Sequence, residues 1–109
     1  MADQTSETPV LDLLGQMTAD SLEATNLDAE STMLVRIAAL VAVDAPPASY
    51  LLNLGAAADI GIGEDEVRGV LAATAPIVGT ARIASATGNI VRALAIAIET
   101  AELDDEENA

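Results

Sequence analysis

The sequence predicts an all-α protein, a small helical domain of about five helices that assembles as a homo-oligomer. Two observations carry the class. Apolar residues recur every three or four positions through successive stretches, and no stretch alternates apolar and polar residues as a half-buried strand does. A third observation carries the assembly. A chain of 109 residues is marginal as an isolated monomer, and this one has no Cys for a disulfide and neither Cys nor His for a zinc site, which leaves association as the remaining staple. The residues are 51% hydrophobic but only 1% aromatic, so Ala, Leu, Ile and Val must fill the interior around Tyr50, the single ring.

The first helix is amphipathic, with Val10, Leu13, Leu14 and Met17 on one face, Thr8 available as N-cap and Pro9 suited to the first helical position. The second starts where Asp28 can cap and Glu30 favours the first turn, and its wide apolar face runs through Met33, Leu34, Ile37, Leu40 and Val41. "APP" (45–47) ends it, because a residue before proline is driven out of the helical region, and Pro46 and Pro47 can open a third helix. That helix stops at Gly61, a residue free to take the left-handed conformation of a helix terminus. "GEDEV" (63–67) then sets three acids in the first turn of a fourth helix, which carries Val67, Val70 and Leu71 to a break or kink around Pro76 and Gly79. The last helix runs from Thr80 to about Ala101 with Ile83, Ala86, Ile90, Leu94 and Ile98 as its core face, and the small residues Ala81, Ala84, Gly88 and Ala95 form a second stripe that predicts close helix contact. The expected layout is an acidic N-terminal tail (1–8), one helical domain (9–101) and an acidic C-terminal tail (102–109).

The formal charge of -14 belongs to the ends: seven acids lie in residues 1–30 and six in 99–107, while residues 31–98 set five acids against four arginines. With no lysine and a sequence pI near 4.1, phosphates would repel the chain, so nucleic acid is excluded as a partner. The N-terminus lacks a basic region followed by an apolar one, which predicts a cytoplasmic protein. The apolar run at 33–43 contains Arg36 and falls short of the roughly 20 residues a bilayer needs, so no membrane partner is expected.

Absences also bound the chemistry. Without His, Lys or Cys there is no imidazole base, Schiff-base amine or thiolate, and acid–base work would fall to carboxylates or Tyr50. "GIGEDEV" (61–67) sets glycines before a helix, but no strand precedes it and three acids follow, which rejects a phosphate loop. Glu64, Asp65 and Glu66 serve the helix dipole, and neither a metal site nor a cofactor is expected. Arg82, Ser85, Asn89 and Arg92 share one side of the last helix. Either its arginines meet carboxylates of a neighbouring helix or subunit, or one of them anchors a small anionic ligand; Arg36 poses the same choice. Ser49 and Asn53, one turn apart, could line a pocket with Tyr50 or be used in capping or intersubunit bonds.

The order of an apolar helix, then "PPASYLLNLGAAADIGIGEDEV" (46–67), then "APIVG" (75–79) before an Ala/Ile-rich helix resembles the carboxymuconolactone decarboxylase family, which includes the alkylhydroperoxidase D branch, over roughly residues 28 to 98. The resemblance implies an alkylhydroperoxidase D-like helical fold, bacterial in character, forming dimers to hexamers with sites near subunit contacts. The peroxidase branch carries a Glu, a Cys-x-x-Cys and a His. Those positions fall here on Leu34, Pro46, Ser49 and Asn53, none of which can relay a proton or form a disulfide as the family residues do. Cysteine-based peroxidase chemistry is therefore expected to be lost. Two functions follow from the resemblance: a binding or scaffolding oligomer, or a cofactor-free decarboxylase or lactone-processing enzyme acting on a small cyclic carboxylate, with Arg36 or Arg82 holding the anion and Ser49, Tyr50 or Asn53 orienting it.

Overall fold

Five helices follow the punctuation of the sequence: α1 (Pro9–Ala24), α2 (Ala29–Ala42), α3 (Pro47–Asp59), α4 (Glu64–Val78) and α5 (Thr80–Asn108). The structure, a computed structural model, describes residues 6–108, leaving aside the side chains of 101 and 104–108. Among the described residues there is no strand.

Local chemistry sets the boundaries. The Asp28 carboxylate accepts the Ser31 N–H at 2.7 Å and so caps α2. Both α2 and α3 end in a Schellman turn. At α3, Ile62 N–H reaches the Ala57 carbonyl and Gly61 N–H the Ala58 carbonyl, each at 3.0 Å, with Gly61 at φ 89°. At the start of α4, Gly63 N–H donates to the Glu66 side chain at 3.0 Å. The turn between α4 and α5 falls at Gly79, whose φ of 86° disfavours any side chain, while Pro76 lies inside α4.

Helices α2 to α5 form the packed body. Helix α2 lies against α3, α4 and α5, and α5 also packs on α3 and α4. One core cluster joins Val41, Ala45, Tyr50, Ala86, Ile90 and Ala93; a second joins Met33, Ile37, Ala57, Ile62 and Val70; Leu54 and Val67 pack against both. Helix α1 packs against none of the other four and has no buried residue.

Three expectations for the last helix are corrected. Ala86 and Ile90 are buried, but Leu94 and Ile98 are 50% and 60% exposed, because the helices packed on α5 leave that side of it open. The close contact is made by the fully buried Ala86 and Ala93 rather than by the stripe of Ala81, Ala84, Gly88 and Ala95; a Cβ at Gly88 would meet only the Arg92 guanidinium, at 3.7 Å. The helix also continues through the segment read as a tail, since 102–107 holds neither Pro nor Gly. By length and composition Thr80–Thr100 is apolar enough to cross a membrane, a feature of α5 that the reading of 33–43 does not cover.

Candidate functional site

The C-terminus of α2 is where the predicted polar residues gather. Its last turn leaves carbonyls without helical partners and carries the negative end of the helix dipole. Asp44 takes a left-handed conformation (φ 57°), Asp44 N–H reaches the Val41 carbonyl at 3.2 Å, and Ala45 N–H reaches the Leu40 carbonyl at 3.0 Å. Helix α5 supplies the rest. Arg82 Nη1 donates to the Ala42 carbonyl at 3.0 Å, Ser85 Oγ to Asp44 Oδ1 at 2.6 Å, and Asn89 Nδ2 to the Ala45 carbonyl at 3.2 Å. Arg92 Nη1 in turn donates to Asn89 Oδ1 at 3.1 Å.

Within the protomer Arg82 meets a main-chain carbonyl. The polar line on α5 caps a helix end some forty residues earlier in the chain, and a cation there complements the dipole. Ser85 alone finds a carboxylate. Asp44 escaped the sequence reading, although an Asp followed at two residues by proline fits a helix stop.

The remaining candidates do not converge on this point. Asn53 Nδ2 donates to the Ser49 main-chain carbonyl at 2.9 Å, a bond inside α3 that does not involve the Ser49 hydroxyl. Arg36 Nη2 donates to Ser21 Oγ at 3.1 Å and ties α2 to the end of α1. Of the positions matched to the family's redox residues, half-buried Leu34 packs at the edge of the second core cluster, Pro46 is the residue before α3, and Ser49 and Asn53 occupy that helix's first two turns. Tyr50 is fully buried in the first core cluster, and its hydroxyl has no hydrogen-bond partner. Burial, and secondarily the charge of Asp44, pushes its phenol above the usual range.

An open hollow lies elsewhere. A groove of about 370 Å³ opens between α4 and α5 over α3, floored by Leu54, Ile62, Val67, Leu71, Ile90 and Leu94, with Glu64, Arg68 and Thr87 at its rim. A smaller hollow of about 130 Å³ between α3 and α5 shares Leu54 and Leu94 with it. Periodicity names Val67, Leu71, Ile90 and Leu94 as core without showing that Leu94 stays half exposed at this groove. No protein-family model, curated protein or solved structure matches the chain. Among the described residues no group of three His, Cys, Asp or Glu side chains is placed to hold a metal ion. The arrangement offers an open apolar surface, while Arg82 and Asn89 are bonded to main-chain carbonyls and Ser85 to the Asp44 carboxylate at the end of α2.

Proposed function

We propose that the chain is a self-associating helical module that acts by binding, a carboxymuconolactone decarboxylase-like protein without cysteine redox chemistry. One observation carries the reading: Arg82, Ser85 and Asn89, the side chains that would furnish a polar pocket on α5, are bonded to the end of α2, whereas the open groove is apolar. Apolar, concave surface of this kind suits contact with another protein surface. The reading as a carboxylate- or lactone-processing enzyme has less support, since Arg36 and Arg82 both have partners and the Asn53 amide bonds within α3.

Native mass spectrometry of the purified protein tests the proposal. A homo-oligomer without a small-molecule adduct is the expected result. A monomer carrying a reproducible anionic adduct would reverse it in favour of the enzyme. Purified protein is also expected to turn over no organic peroxide above the buffer blank when supplied with a thiol reductant.

A further inference from the structure

We propose that helix α1 of one protomer docks into the apolar groove between α4 and α5 of a second copy of this chain. The inference rests on the self-association proposed above and adds which surfaces meet.

Helix α1 has the form of a ligand for a groove. Val10, Leu13, Leu14 and Met17 stand at i, i+3, i+4 and i+7, the spacing with which an amphipathic helix enters an apolar cleft, and they are 50% to 66% exposed in the protomer. The groove has the matching form. Its α5 flank from Thr87 through Val91 to Leu94 spans about 10 Å, and so does Val10 to Met17, at the rise of an α-helix. Charge is compatible: α1 carries Asp12, Asp20 and Glu23 and no cation, and Arg68 stands on the groove rim beside Glu64. Arg68 is held there by exposed bonds to Glu64 and Asp65, which are cheap to exchange.

The surface area calls for such a partner. A compact monomer of 11.0 kDa exposes about 5,600 Å², whereas this chain exposes 7589 Å². The excess of roughly 2,000 Å², to which α1 and the exposed part of α5 both contribute, leaves room for the about 800 Å² per partner that a stable interface buries. The radius of gyration, 16.0 Å against about 13 Å for a compact domain of this length, says the same.

A second copy is the occupant that the geometry favours over α1 folding back. The link Thr25–Asp28 reaches at most about 14 Å, Arg36 ties the end of α1 to α2, and no α2 residue lines the groove. Each copy offers one helix and one groove, so reciprocal exchange closes as a two-fold pair with neither left over.

The chain has no cysteine of its own, which makes disulfide trapping clean. Leu14→Cys and Val91→Cys proteins, one of them mass-labelled, are mixed and oxidised. The mixed disulfide is expected to exceed either homodisulfide several-fold. In parallel, the double variant Leu13→Asp, Met17→Asp is expected to keep its helical circular dichroism and sediment at the 11.0 kDa protomer mass. An oligomer that forms no mixed disulfide and survives the α1 substitutions overturns this docking and leaves the self-association reading standing. A monomeric wild type overturns both. An intrachain disulfide in a dilute Leu14→Cys, Val91→Cys chain also overturns the docking, by showing that α1 closes on its own groove.

Discussion

Helices α1 and α2 are near neighbours in length and in pattern, and the fold treats them in opposite ways. Both repeat apolar residues at helical spacing. In α2 that face buries Thr32, Met33, Ile37 and Val41 against three other helices; in α1 nothing is buried and no other helix packs against it. A helical period thus shows that a face exists, but what covers it depends on the rest of the chain or on another chain.

The largest effect separates the two helices most directly. Ile37→Ala empties a fully buried position in the second core cluster and is expected to cost about 2 to 5 kcal/mol. Leu13→Ala changes a side chain that is 61% exposed and is expected to move protomer stability by less than about 0.5 kcal/mol. Urea unfolding of both variants at concentrations low enough to hold the protomer reads the contrast. Equal losses would mean that α1 packs within its own chain.

Much of the body was legible because its signals are local. Asp28, the Pro46–Pro47 pair, Gly61 and the acids of "GEDEV" each act within a turn of where they stand, and the helix limits follow them. What was not legible is non-local. Arg82, Ser85 and Asn89 share a side in the sequence, yet their partners are backbone and carboxylate atoms of the α2 terminus, which only tertiary structure brings near. The expectation for Leu94 as core fails for the same reason: its period is right, but Leu94 faces the open groove beside α3 and α4 and stays half exposed. The site suffers most, because carboxylate or ligand partners were inferred from residue type while the actual acceptors include main-chain carbonyls that every residue carries.

Inside the packed body, Tyr50 is the polar flaw that α1 has no means to show. Its buried hydroxyl has no partner, so Tyr50→Phe removes an unsatisfied group at nearly constant volume and is expected to stabilise the fold by about 1 kcal/mol in thermal unfolding. The raised phenol pKa adds a pH signature. The protonated ring is favoured in the folded state, so its contribution is full below pH about 10 and is lost as the pH rises through the folded value. Wild-type stability is expected to fall more steeply above pH about 10 than that of Tyr50→Phe. Identical alkaline profiles would show that the hydroxyl reaches water.

The smallest effect compares how the two helices begin. Asp28 accepts the Ser31 N–H, whereas the Thr8 hydroxyl donates to the Asp12 carboxylate at 3.2 Å and caps no backbone N–H of α1. Asp28→Ala is therefore expected to lower the melting temperature and Thr8→Ala to leave it unchanged. The backbone hydrogen bond from Ser31, then its side chain, holds the Asp28 carboxyl below the usual carboxylate range, with slight burial acting the other way. A depressed folded pKa stabilises the protein above about pH 4, and that stability is lost as the pH falls through the lowered value. Acid unfolding of Asp28→Ala should lack this component, while Thr8→Ala should retain it. If the two variants behave alike, the cap at Asp28 is not what sets the join between the free helix and the packed body.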